Sequence, residues 1–280
     1  MRRVLFLCVV MSLGGCWCFD RAYQDFCRDT RRCDGGADPP FGNVARIELR
    51  DMPTTLEAGI CWRGRVEFID QDSVVTAANR AGDVRLAATT GVQFFTSADC
   101  MGQPVSSVPF GANEDNVQFW FNTDHFGTMS ITATLASLTP FQTSFLSTAM
   151  LRIVPAPVAV STTSCGAAFR VEAWSPATAS LVKAAAAVAV DVDSQSLSFG
   201  PACSSPSTTQ VTIPALAAFA TVFARMTSDG GTLAAYSDTT AGLLGGPQTE
   251  VYPDCLPDGV ACVSASACCS GLCTTGTCGM

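Results

Sequence analysis

Apolar and polar residues alternate one by one along much of this chain. Val117, Phe119 and Phe121 alternate with Gln118, Trp120 and Asn122, and Ile131, Ala133 and Leu135 alternate with Ser130, Thr132 and Thr134. A period of two sends one set of side chains to a buried face and the other outward, so these stretches predict strands of half-buried sheets. Val66-Glu67-Phe68-Ile69 and Val92-Gln93-Phe94-Phe95 carry the same signal, and Asn122–Gly127 supplies a turn between two strands. Ala184 to Ala189 is alanine-rich enough to suggest a helix, but alternation with Val188, Val190 and Val192 favours a strand. No helical amphipathic stretch of ordinary length is present. The predicted fold class is all-β.

The strand pattern occurs twice. Cys61 and Cys100 lie 39 residues apart, and Cys165 and Cys203 lie 38 apart. Eight residues past the second cysteine of each pair stand Val108 and Val211, and twenty past it stand Trp120 and Phe223. Gly127-Thr128 and Gly231-Thr232 follow, offset by one. Several landmarks in one order mark an internal repeat. The chain of 280 residues suits two ordinary domains and a small one.

Gly59-Ile60-Cys61, Phe94 through Cys100, and Phe119-Trp120-Phe121 through Phe126-Gly127-Thr128 resemble bacterial immunoglobulin-like domains, which occur in tandem on envelope proteins. The resemblance covers most of the first repeat and is weaker over the second. It implies two β-sandwiches, 43–154 and 155–252, serving as spacer or adhesive modules. It implies no reaction, because a sandwich hosts many functions. Pro155-Ala156-Pro157 is the expected linker between them.

The last segment, 253–280, has almost no apolar side chains but six cysteines spaced C-x6-C-x5-C-C-x3-C-x4-C. So short a stretch cannot bury enough surface to offset the entropy of ordering it. Disulfides can, in an oxidising compartment. The spacing resembles inhibitor cystine-knot modules, which implies Cys255–Cys269, Cys262–Cys273 and Cys268–Cys278. Adjacent Cys268 and Cys269 can scarcely bond each other without strain. Pairing within each repeat suggests Cys61–Cys100 and Cys165–Cys203. Zinc is disfavoured, since this segment has neither histidine nor C-x2-C.

The N-terminus reads as an export signal, 1–15. Arg2 and Arg3 precede the apolar run Val4–Leu13, too short to span a bilayer. Leu13-Gly14-Gly15-Cys16 resembles the bacterial lipobox, which implies lipidation of Cys16; ordinary secretory cleavage, with Cys16 in a disulfide, is the alternative. Residues 16–42 form a tether, with Cys27–Cys33 the expected bridge and Cys18 unassigned. If Cys16 is not lipidated, the four N-terminal cysteines have partners for two bridges.

Formal net charge is −8, which argues against nucleic acid or anionic lipid as partners. Charged residues are only 14% of the chain, and Lys183 is its single lysine. His125, the one histidine, would have to serve any Ser-His-Asp device, yet no G-x-S-x-G elbow exists. Its place in the Asn122–His125 turn predicts a solvated side chain. Asp70/Asp72, Glu114/Asp115 and Asp191/Asp193 are isolated pairs without a calcium-loop pattern. Trp62, Trp120 and Trp174 suit either sandwich packing or sugar stacking; Trp120 is the candidate ligand surface, since it lies opposite Val117, Phe119 and Phe121.

The expectation is a non-enzymatic envelope surface protein without cofactor, exported and anchored in the membrane by lipid at the cell surface, or secreted. It would bind an unidentified surface protein or polysaccharide. The alternatives are a secreted toxin or inhibitor acting through the terminal module, and a sandwich hydrolase using His125.

Overall fold

The computed structural model describes residues 41–164, 166–193, 197–200, 209–226, 231–236 and 241–279. The signal, most of the tether, and the readings on Cys16, Cys18, Cys27, Cys33, Cys165 and Cys203 lie outside the described residues. The fold is all-β.

The first half contains β1 (Arg46–Arg50), β2 (Thr55–Glu57), β3 (Trp62–Ile69), β4 (Gly82–Ala88), β5 (Val92–Phe95), β6 (Ser107–Phe110), β7 (Asn116–Thr123), β8 (His125–Thr134) and β9 (Phe141–Val154). One sheet has the order β1-β3-β7-β5; facing it is β9-β8-β4-β6, with β2 added parallel to β9. The alternating apolar positions meet between the sheets: Ile47, Val66, Phe68, Phe119 and Phe121 face Val84, Phe110, Met129, Ile131 and Phe145. Aromatic pairs clasp the layers, with Phe68–Phe110 centroids 4.7 Å apart and Phe121–Phe145 centroids 5.6 Å apart. Cys61–Cys100 closes the loop from β3 to the residues after β5, worth roughly 4 kcal/mol on the chain-entropy model.

The second half contains β10 (Val158–Val160), β11 (Gly166–Ser175), β12 (Ser180–Leu181), β13 (Lys183–Ala184), β14 (Val188–Asp193), β15 (Leu197–Gly200), β16 (Gln210–Ile213), β17 (Phe219–Met226), β18 (Gly231–Tyr236), β19 (Leu243–Leu244) and β20 (Thr249–Pro253). Its sheets are β9-β11-β17-β15 and β10-β20-β18-β14-β16. Lettered by place in the ladder, both halves run A, A′, B, C, D, C′, E, F, G, with sheets ABED and A′GFCC′. This is an immunoglobulin-like arrangement. In both halves C′ follows D along the chain, and A′ pairs parallel to G. The sequence landmarks fall on matching strands. Val108 and Val211 are each second in C′, Trp120 and Phe223 each fifth in E, and Gly127 and Gly231 both lie in F.

One strand serves both sandwiches. Residues 141–147 of β9 pair with β8 as strand G of the first. Residues 150–154 pair with β11 as strand A of the second. The junction is therefore continuous sheet, and Pro155–Pro157 lies beyond it, between A and A′ of the second sandwich. The core crosses as well: Ala58 and Phe126 of the first half belong to the cluster of Leu151, Ile153, Val171 and Leu243. A strap closes the joint, with Leu243-Leu244 parallel to Ala149-Met150. At Gly246 the strap presses so close that a Cβ would stand 1.4 Å from the Leu151 carbonyl oxygen.

The C-terminal tip joins without a flexible break. Disulfides connect Cys255–Cys269, Cys262–Cys273 and Cys268–Cys278. A short hairpin of β21 (Cys273–Thr274) and β22 (Thr277–Cys278) completes it. Its small core of Leu256, Cys262, Cys268 and Cys278 packs on Ala159 and Tyr252 of the second sandwich. Asp254 donates its N–H to the Val160 carbonyl at 2.7 Å and accepts the Thr162 N–H at 2.9 Å.

A shared strand predicts shared stability. Leu151→Ala should cost about 2–5 kcal/mol and lower the urea midpoint of both halves together. Far-UV dichroism and tryptophan fluorescence should then coincide in one transition; two separated transitions would show independent sandwiches.

Candidate functional site

Trp120 is half-buried on the outward face of β7, opposite Arg63 on β3 and Phe95 on β5. The rest of that face is a ladder of alternating charge, Arg46–Glu48–Arg50–Glu67–Arg65–Asp51–Arg63. The acids link one arginine to the next along this outer ABED face.

His125 is not the solvated turn residue its sequence position suggests. It opens β8 and is 4% exposed. Only Asp124 separates β7 from β8, so the turn is too short to leave His125 outside. Its ring fills the space over Gly91, where φ is +94° and a Cβ would stand 2.1 Å from Nδ1. Nδ1 lies 2.6 Å from Asp124 Oδ1, and Nε2 is buried without a hydrogen-bond partner. Ser147 Oγ donates to the His125 carbonyl, not to the ring. Among the described residues no serine is paired with the imidazole as a nucleophile would be.

Asp124 also receives Lys183 Nζ at 3.2 Å, from β13 of the second sandwich. The chain's one histidine and one lysine thus meet on a single carboxylate at the junction. Burial raises the Asp124 pKa, but the hydrogen bonds and charges of His125 and Lys183 outweigh it and leave the group below its ordinary value. Nearby, a groove of about 580 Å³ is lined by small neutral residues, among them Thr89, Thr128, Ala186 and Ala241. The acidic pairs are occupied locally. Asp70 Oδ1 accepts the N–H groups of Asp72 and Val74, Glu114 accepts Gly111 N–H, and Asp191 accepts Gln210 Nε2.

The corresponding ABED face of the second sandwich is different. Val171 and Ala173 of β11 point into the core, which turns Arg170, Glu172 and Trp174 outward. Register then builds rows across the strands. Leu181, Trp174, Met150 and Leu244 form one; Phe219, Glu172 and Arg152 form the next; Thr221, Arg170 and Val154 the third. Glu172 sits at the centre with its side chain 1% exposed. Its Oε2 accepts Arg152 Nε at 2.9 Å, and its Oε1 pairs with Arg170 Nη2 at 2.8 Å. The Arg152 guanidinium lies 3.7 Å over the Trp174 ring, and that of Arg170 lies 5.0 Å over Phe219. Leu181, Phe219 and Leu244 are each about 40% exposed at its margins. In sequence, nothing sets Trp174 apart from Trp62 and Trp120. The signal that marks this face is the alternation Arg170-Val171-Glu172-Ala173-Trp174, which gains meaning once Arg152 is placed beside it.

Neither a family model nor a curated relative matches the chain. Solved structures align with it only at low scores. The Yersinia pseudotuberculosis adhesin InvE aligns at 14% identity with a TM-score of 0.42, over 78% of this chain and 61% of that one. The D0-D1 domain of intimin aligns at 11% and 0.27, over 75% and 98%. Domains 4 and 5 of the S-layer protein SbsC align at 12% and 0.24, over 46% and 65%. The chain thus spans less than two thirds of InvE. At these scores the immunoglobulin-like assignment rests on strand order.

Two substitutions probe the charged centres. Glu172→Ala takes the shared acceptor from two partly exposed guanidiniums and should cost about 1–3 kcal/mol; Glu172→Gln, which keeps an acceptor, should cost less. Asp124 has a folded pKa below its unfolded one, so its stabilisation is present above the unfolded value near 4 and is lost as pH falls through the folded value. Asp124→Asn should therefore lower stability at neutral pH and flatten the acid limb of a melting-temperature profile. An unchanged acid limb would count against the clasp.

Proposed function

We propose that this chain is a non-enzymatic surface protein of the bacterial envelope, exported, held by lipid on Cys16, and built to present binding surfaces at a distance from the membrane. The observation that carries this reading is the outward arginine–aromatic face of the second sandwich. Trp, Phe and Arg are the residues that dominate binding surfaces. A stiff mount supports the same reading, since continuous sheet links the sandwiches and the tip is packed on the second one. The hydrolase alternative is opposed by the burial of His125 against Gly91. The reading in which the tip acts alone is opposed by its packing on Ala159 and Tyr252.

Cys16→Ala should move the protein from the membrane fraction to the medium, and unchanged fractionation would remove the anchor from the proposal. Beads coated with the mature protein should retain cells or matrix of its natural surroundings. Phe219→Ser with Leu181→Ser should cut that retention at least fivefold, and full retention would sink the assignment of this face.

A further inference from the structure

We infer that the face around Glu172 is a binding site for a polysaccharide carrying spaced carboxylates, a uronate alternating with neutral sugars. This inference rests on the adhesive reading above and names its ligand class.

The first ground is charge. Two guanidiniums share one carboxylate, so the centre keeps one unit of positive charge in a chain of net charge −8. Each arginine has five N–H donors, and the contacts to Glu172 engage one nitrogen of each. Aromatic rings and the buried acid fix both guanidinium planes in advance, which lowers the entropy cost of meeting a planar oxyanion. The second ground is layout. A protein interface has an apolar centre and a polar rim. Here the ionic group is central, with the apolar row Leu181-Trp174-Met150-Leu244 beside it and Phe219 next to Glu172 in its own row. A pyranose chain offers the matching pattern: C–H faces for the apolar row, and a carboxylate at the ring edge for the arginines. The third ground is the matching face of the first sandwich. There four arginines are interleaved with three acids, and among the described residues none of those four guanidiniums stacks on a ring.

The test uses the full mature protein and a hyaluronan hexasaccharide, with heat and tryptophan fluorescence as readouts. Saturable binding is expected. The same hexasaccharide with its carboxylates reduced to alcohols should bind at least tenfold more weakly. Arg170→Gln and Arg152→Gln should each weaken binding fivefold or more, and Trp120→Leu on the other face should leave it unchanged. Arg170→Lys keeps the charge but loses the planar fork, and should also weaken binding; it serves if an Arg→Gln variant fails to fold. No binding, equal binding of the reduced sugar, insensitivity to these arginine changes, or equal binding by hexaglutamate would each overturn the inference. Retention of cells without hexasaccharide binding would leave the adhesive reading standing and remove only the ligand class.

Discussion

The structure depends on β9 keeping one face inward along its whole length. Phe145 fills the first core, and Ala149, Leu151 and Ile153 fill the second, all at odd positions of one strand. An extra residue near Thr148 would turn one of these sets to solvent, because register in a strand flips side chains one by one. The modules are therefore bound by a parity rule as well as by contacts. The strap through Gly246 and the Asp124 clasp add to a joint that backbone hydrogen bonding already defines.

Much of the fold was legible because one-sided burial writes itself as alternation. Val117–Phe121 and Ile131–Thr134 lie in strands E and F, and the valine and aromatic spacings land on equivalent strands. The shared strand was not legible. Alternation through Phe145, Ser147, Ala149 and Leu151 carries no mark where the pairing partner changes from β8 to β11. The burial of His125 is hidden in the sequence for a related reason: it depends on Gly91, a residue distant in sequence that leaves room for the ring. The arginine–aromatic face needed register too, since Arg152 and Glu172 are twenty residues apart and face each other only across β9 and β11.

The two sandwiches share a topology down to the unusual order of D before C′, yet their equivalent ABED faces have diverged. One carries an alternating ionic ladder, whose exposed pairs each contribute little. The other concentrates two arginines on a single buried acid beside aromatic rings. Internal duplication thus supplies its own comparison: one strand order carries either arrangement.

With so few ions, the chain relies on sulfur where its core is thin. The tip has no sizeable apolar interior of its own, and Asp258 is the only charged side chain among its residues 255–279. Its bridges substitute for a core, and Tyr252 and Ala159 lend it a floor.

Lys183 has one further consequence. Side-chain amines occur once, at the joint between the sandwiches, so lysine-directed coupling would grip this molecule there. A dye or tether placed there would sit at the joint and would disturb the Asp124 carboxylate, which ties His125 of the first sandwich to Lys183 of the second.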